Sequence, residues 1–514
     1  NEKVVIRKGR ENYLCLLNLE EAINHSNRST RDIIALGLIV RWAEISRDGD
    51  MIGGDFPGWL REIIGNSMAL SLTDRRGECT FSSCSHYRKC FIEKTHRKAR
   101  FAEIVIANHA LVMQQGTRGL FADNVKSSPM RLIFDEGHHI FDAADSAFSS
   151  HLTGDDASDL RRWLLGVESR NRNRGRGLAK RIEDLIFDND IAKKALTQVM
   201  QVARELPEGD WSKRVSSGVA NGDFEKFLLQ VRVQVLEKCI DKHSLYTLEV
   251  PTEPHMPGLR EASQNLELVL SRLLNPLLLI EQGLRDLLIK SPETIDSHKR
   301  QRIEGLIKGL SLRTNEQLRA WHSMVAGLIS SSQEEKTQNS KSESIEYIDW
   351  FAIKKIAGKE ANIGMFRHFL DPTIPFANAI LSGMHGVVVT SATLCDHSSN
   401  IEDDWLDVEA RTGFSQVVDA SPIRANVPSP FDYGRQTQIY VINDVGYKDL
   451  EKRALAYREL FAAAGGGGLG LFTAISRLRD IHSRILMPME SRGLRMWAQH
   501  VDELDTGSLV DIFR

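Results

Sequence analysis

At 514 residues, with 42% hydrophobic and 26% charged side chains, the chain has the composition of an ordinary globular protein with room for about three domains. A net charge of −3 excludes a uniformly basic nucleic-acid coat and leaves only local basic patches. The most apolar stretch, residues 273–284, is broken by Asn275, Pro276, Glu281 and Gln282, so no bilayer span of about 18 apolar residues is expected.

In chain order, Asn1 is followed closely by lysine and arginine with no signal-peptide pattern, which we read as the start of a fragment of a cytoplasmic protein. Six cysteines in a chain of this length do not make a disulfide framework. Three cluster as Cys79-x4-Cys84-x5-Cys90 with Cys15 upstream, while Cys239 and Cys395 stand alone and read as packing residues. This is not the paired C-x2-C spacing of zinc ribbons. Four thiolates, with Cys15 as the fourth, suit either an iron–sulfur cubane or a structural zinc, and spacing leaves that choice open. Around the cluster Arg75, Arg76, Arg88, Lys89, Lys94, Arg97, Lys98 and Arg100 face only Asp74, Glu78 and Glu93, with His86, Tyr87, Phe91 and His96 interleaved. Cations among stackable rings are the composition of a single-stranded nucleic-acid path. The plainer alternative is a solvated surface that balances the charge of the cluster.

Residues 131–136 (RLIFDE) read as a buried parallel strand ending in an acid pair, Asp135-Glu136, followed by Gly137-His138. An aspartate and a glutamate delivered by a strand can approach magnesium and orient an attacking water. From about 155 to 330 the apolar spacing is helical, as in Leu178-Ile182-Leu185-Ile186 and Leu266-Val269-Leu270-Leu273-Leu274-Leu277. Within it, residues 169–177 form a basic, glycine-containing loop suited to phosphate, and Trp211 and Trp321 read as core. Residues 331–345 are polar and low in complexity, the composition of a linker. Strand-like runs then return at 386–394 (GVVVTSATL), 439–442 and 468–474 (GLGLFTA). Between them Glu402, Asp403, Asp404, Asp407 and Glu409 read as solvated surface, and Gly465 to Gly468 as a turn rather than a phosphate loop, since no lysine follows.

Taken together, Lys8-Gly9-Arg10-Glu11-Asn12-Tyr13-Leu14-Cys15, the cysteine trio and Ala107-Asn108-His109-Ala110-Leu111 open an ordered series of motifs. Phe134-Asp135-Glu136-Gly137-His138-His139, Val389-Thr390-Ser391-Ala392-Thr393-Leu394, Ser429-Pro430-Phe431-Asp432-Tyr433 and Leu471-Phe472-Thr473-Ala474 continue it. The series resembles the DinG/XPD family of superfamily 2 DNA helicases, in particular a bacterial DinG-like branch. The resemblance implies an α/β fold of two RecA-like motor domains, both incomplete here, with an inserted Fe–S cluster domain and an all-helical arch. It implies the cluster domain with flanking motor sequence at 1–105, the first motor domain at 106–150 and again at 346–425, the arch and its linker at 151–345, and part of the second motor domain at 426–514.

The activity implied is ATP-driven, 5′-to-3′ translocation on single-stranded or forked DNA by a monomer without a stable protein partner. The cofactors implied are Mg2+ with ATP and a [4Fe-4S] cluster. By the same resemblance Cys15, Cys79, Cys84 and Cys90 are the cluster ligands, Asp135 and Glu136 the magnesium and hydrolysis pair, His138 the last residue of that box, and Ser391 and Thr393 the coupling motif. Lys8, Arg10, Tyr13, Asn108 and His109 join Arg88, Lys89 and Arg97 as expected DNA contacts. Gly137 stands where alanine is commoner, a small change expected to preserve the carboxylate geometry.

Two departures matter. No G-x-x-x-x-G-K-[ST] occurs, and Ala357-Gly358-Lys359-Glu360 lacks both the loop and the hydroxyl that would cradle phosphates. The chain ends at Asp511-Ile512-Phe513-Arg514, ahead of the family's last motifs. We therefore expect a piece cut at both ends, rather than a natural relic that lost its motor, and one that does not hydrolyse ATP alone. A non-catalytic DNA-binding scaffold built on a four-cysteine metal site is the alternative. A zinc-stabilised nuclease is disfavoured because no further carboxylate cluster accompanies Asp135 and Glu136.

Overall fold

Apolar residues three and four apart should drive helices together, and the largest body of the protein is built that way. The computed structural model describes residues 3–24, 29–75, 79, 84–119, 130–166, 177–242, 244–290, 295–331, 346–356, 358–395, 400–417, 421–446, 449–499, 501–502 and 506–513. The basic loop at 169–176, the linker at 332–345, and Arg76 and Glu78 lie outside the described residues. The chain divides into two units, one of residues 1–11, 15–17 and 73–422, the other of 12–14, 18–72 and 423–514.

In the first unit the centre of the helical region is Leu259–Lys290. Leu266, Val269, Leu270, Leu273, Leu277, Ile280 and Leu284 form its buried stripe, as the spacing predicts. It packs on Asp190–Val202, Gly222–Lys238, Ser297–Ser311 and Arg319–Ser331. That enclosure on several sides outweighs the cost of about 3 kcal/mol for a proline inside a helix, and the helix continues through Pro276. Trp211 and Trp321 are core, as expected.

The region is not all-helical. A four-stranded antiparallel sheet, in the order β4 (Ser150–Thr153), β7 (Lys359–Phe369), β6 (Tyr347–Ile356), β5 (Leu248–Pro251), lies under the helices. Phe351, Ile353, Ile363 and Met365 point from its inner face into the same core as Leu270 and Trp321. The short strands escape helical periodicity because β5 buries only Leu248 and Val250 in alternation.

Two small parallel sheets complete this unit: β1 (Val4–Ile6) beside β2 (Ile104–Ile106), and β3 (Arg131–Asp135) beside β8 (Gly386–Thr390). The helical region is thus inserted between two strands that are neighbours in space. Behind β3 and β8, Phe134 packs with Met113, Ile140, Ala144, Phe376 and Ile380. The acidic run at 402–409 forms the helix Ile401–Arg411, in which Asp404 is buried rather than solvated because it lies on the face shared with Val408.

In the second unit, Thr30–Ile45 and Gly58–Ser71 pack on each other, the former capped by Ser29. Leu450–Ala463 and Ile475–Glu490 pack around Ala454, Ile481, Ile485 and Met489. Gly465, Gly466 and Gly467 all take positive φ and make the expected turn. The strands expected at 439–442 and 468–474 are not formed, and Val441 and Leu471 are about 80% exposed. A strand exists only against a hydrogen-bonded neighbour, and none lies beside them among the described residues. Among the described residues no helix is long and apolar enough to cross a membrane.

Candidate functional site

Strands β3 and β8 run in register, with Asp135 beside Thr390. Each therefore delivers its next residues to the same place, Glu136 to His138 from one and Ser391 to Thr393 from the other. β3 ends because Glu136 turns into the left-handed region, φ 51°, ψ 50°. Its N–H turns back to Asp135 Oδ1 at 3.1 Å. A short 3-10 turn, Gly137–His139, leads on into the helix Ile140–Phe148. Gly137 is more than the small change expected: a Cβ there would collide with Val389 Cγ1 on β8. The glycine is what lets the box lie against its neighbour.

Ser391 is the hub. Its hydroxyl donates to Glu136 Oε2 at 3.1 Å and accepts from the Thr393 N–H at 3.2 Å. Its oxygen lies 2.8 Å from His138 Nδ1 and 3.4 Å from Thr393 Oγ1, which is itself 3.4 Å from the same Nδ1. A hydroxyl has one proton. With that proton on Glu136, the bond to His138 requires Nδ1 to be the protonated nitrogen. His138 Nδ1 also lies 3.4 Å from Glu136 Oε2, and its ring packs on His139 at 4.0 Å. The structure thus brings Glu136, His138, Ser391 and Thr393 into one network, with Asp135 at its edge.

His109, expected among the DNA contacts, stands beside this network. It opens the helix His109–Thr117, which Asn108 caps by accepting the Leu111 N–H at 3.0 Å. Its ring lies 5.7 Å from that of Phe134. Burial holds its pKa below the usual value, opposed by the nearby main chain of Asp135. His139 and the Gly137–Val389 approach are the neighbours that reading the sequence missed; no spacing rule signals either.

Cys15, Cys79, Cys84 and Cys90 line one cavity, together with Arg10, Asp74, His86, Tyr87, Ile92 and Glu93. Cys90 joins the turn Tyr87–Lys89 to the helix Phe91–Phe101. All six cysteines are half-buried thiols, and no group of three His, Cys, Asp or Glu suited to a metal ion occurs among the described residues. Burial pushes the Cys90 thiol up, while the main-chain N–H groups of Glu93 and Ile92 and the charge of Arg10 pull it down. Burial works against the Arg10 charge, but Asp74, at 2.7 Å, and Cys79 more than offset it and raise its pKa. The four thiols thus share a cavity lining with an arginine, without three of them gathering as a metal-binding group among the described residues.

The expected DNA contacts separate. Arg88, Lys89 and Arg97 are exposed on the cysteine segment, Arg97 bonding Glu93 at 3.1 Å and lying 5.3 Å over Tyr87. Lys8 is half-buried and Arg10 faces the cysteine cavity. Tyr13 is 4% exposed.

No family model matches the chain. Among curated proteins, the ATP-dependent DNA helicase YoaA of Haemophilus influenzae is 27% identical over 165 residues, 31% of this chain and 24% of that protein. YoaA of Escherichia coli is 29% identical over 161 residues, 30% of this chain and 24% of that protein. The ATP-dependent DNA helicase DinG of Salmonella typhimurium is 30% identical over 152 residues, 27% of this chain and 21% of that protein. The matched stretch therefore spans less than a quarter of the length of these relatives. The ordered motifs and these relatives agree, and they support placing the chain in the DinG-like helicase family.

Proposed function

We propose that this chain carries the acid pair, the coupling motif, the cluster domain and the arch of a DinG-like, ATP-dependent DNA helicase with 5′-to-3′ polarity on single-stranded DNA. The observation that carries the reading is the hydroxyl of Ser391 joining Glu136 to His138 across the β3–β8 register. In this reading the Asp135 carboxylate would hold magnesium, and Glu136 would orient the attacking water and take its proton. His138, Ser391 and Thr393 relate that carboxylate to the strand end, where a shift of β8 reaches it through one hydroxyl.

Cys15, Cys79, Cys84 and Cys90 would hold a [4Fe-4S] cluster, supported by their lining one cavity. When bound, the cluster supplies a rigid four-thiolate clamp with an accessible redox couple. Arg10 then balances negative charge at that cavity, and Arg88, Lys89 and Arg97 present exposed cations to a DNA backbone.

The sequence holds no phosphate loop, so the chain by itself is expected to bind DNA without hydrolysing ATP. That same feature favours the second reading, a DNA-binding scaffold on a four-cysteine site. Anaerobic purification with iron, sulfide and zinc analysis tests the cluster: about four irons and four sulfides per chain are expected, and one zinc without sulfide would sink it. Joining an upstream phosphate-loop segment and assaying DNA-stimulated hydrolysis separates the two readings. Turnover abolished by Glu136→Gln supports the helicase; no turnover supports the scaffold.

A further inference from the structure

The chain leaves the strand-end site and returns to it along two adjacent legs. From β3 it runs through the turn Gly137–His139 and the helix Ile140–Phe148 into β4. It comes back from β7 through the helix Thr373–Ala379 and the turn Leu381–Gly383 into β8. β4 and β7 pair antiparallel, Ser150 beside Arg367 and Thr153 beside Gly364, so the inserted region is mounted on these two legs. One leg begins with Glu136 and His138; the other leads to Ser391 and Thr393.

The legs share an apolar core, Ile140 and Ala144 of one with Phe376, Ala377 and Ile380 of the other. Apolar packing is non-directional, and packed elements can slide by small steps. A directional bond is added where the legs meet the sheet. His368, the penultimate residue of β7, places its Nδ1 2.8 Å from both carboxylate oxygens of Asp145 on the helix Ile140–Phe148. A carboxylate only accepts, so Nδ1 carries the proton. The imidazole is flanked by Trp350, at 4.7 Å, and by His151, stacked at 5.9 Å and 25°. Both members of the pair are partly buried, which makes their bond stronger than one in open water.

We propose that His368 and Asp145 are positioning residues for the acid pair. Their bond clamps the helix that follows Glu136–His138 to the returning leg, so that a displacement of the inserted region reaches the Glu136–Ser391–His138 network instead of being lost as sliding between the legs. The inference rests on reading Asp135 and Glu136 as the hydrolysis pair with Ser391 as its coupling hydroxyl. It gives a role to two residues that lie outside the recognisable motifs.

The test uses the full chain, isotopically labelled, in three forms: wild type, His368→Phe and His368→Asn. Phenylalanine keeps a ring against Trp350 and loses the donor; asparagine returns an N–H near the place of Nδ1. The readouts are the 15N imidazole shifts of His138 and amide exchange at residues 387–390, on the strand that keeps register with β3. In His368→Phe we expect exchange at 387–390 to rise about tenfold and the His138 shifts to move, with residues 269–273 of the helical core unchanged. His368→Asn should restore both. A rise confined to 140–148 and 366–369, with His138 and 387–390 unmoved, overturns the proposal, since the bond is then a local fastening. So does a uniform rise that includes 269–273, which marks lost stability rather than lost position.

If His368→Phe does not fold, Asp145→Asn takes its place, because it keeps the shape and removes the charge. The same pattern at smaller amplitude is expected, and unmoved His138 shifts refute the clamp. Manganese broadening at Asp135 and Glu136 tests the hydrolysis-pair reading separately. Absent broadening together with moved His138 shifts would discard the metal chemistry and keep the positioning role.

Discussion

Leu270 and Ile133 are both aliphatic residues that the sequence marks for burial, and they end in opposite surroundings. Leu270 is fully enclosed in the helical region, whereas Ile133 is 75% exposed on β3. The helical region closes its core from its own residues, because Leu259–Lys290 meets four other helices and residues of the sheet join the same core. The β3–β8 pair buries one face behind Phe134 and leaves the other open. The difference separates two ways of using apolar residues: the first region takes its order from packing, the second from register and a few hydrogen bonds.

If that contrast is right, the largest effect comes from the helical core. Leu270→Ala removes buried methyl groups where rigid neighbours cannot collapse inward, and should cost about 2–5 kcal/mol. Ile133→Ala should change stability by less than about 0.5 kcal/mol, as expected of an exposed site. Urea unfolding of both variants checks this; equal losses would show that the β3 face is covered in solution.

The second effect falls on the strand-end site, where packing is tight at a single point. Gly137→Ala drives a methyl into Val389 and should cost about 1–3 kcal/mol. Val389→Ala in the same chain should return most of it, because the collision is with that side chain. A double-mutant cycle by thermal melting reads the coupling; additive losses would mean that the box and β8 do not approach in this way.

The same contrast explains how much was legible beforehand. Leu266 to Leu277 announced their helix because a 3.6-residue period needs no knowledge of the partner. Residues 131–135 and 386–390 announced strands, and their polar ends marked the site. Residues 468–474 carry a similar pattern and form no strand, because pairing is a property of two segments. The role of Gly137 was hidden for the same reason, since it depends on Val389 far along the chain. Asn108 and His109 were visible as a motif, but the place of His109 beside Phe134 is set by the packing of His109–Thr117 on Ile140–Phe148.

A third, smaller effect is a pH dependence at the base of the cysteine segment. Burial, with Arg7, Arg10 and Lys308 nearby, holds His96 at about 4 against its ordinary 6.5. As the pH falls below 6.5 the unfolded chain takes up this proton while the folded chain stays neutral. The contribution of His96 is therefore fully present above 6.5 and declines between 6.5 and about 4. Replacing it by glutamine should flatten that part of the stability profile, measured by urea midpoints across the interval; an unchanged slope would place the titration elsewhere.

Only a small effect on stability should come from the residue with the most bonds in the site. Ser391 contacts Glu136, His138 and Thr393, yet its surroundings are open to water, which replaces lost partners. Ser391→Ala should therefore change stability by no more than about 1 kcal/mol. Its consequence is local: with the 2.8 Å acceptor gone, only the 3.4 Å contacts to Glu136 and Thr393 favour the Nδ1–H form of His138, and the other tautomer should gain. The 15N shifts of the His138 imidazole distinguish the two forms directly. A retained Nδ1–H in Ser391→Ala would show that Glu136, 3.4 Å away, orients the ring by itself, and that the hydroxyl accompanies the network without determining it.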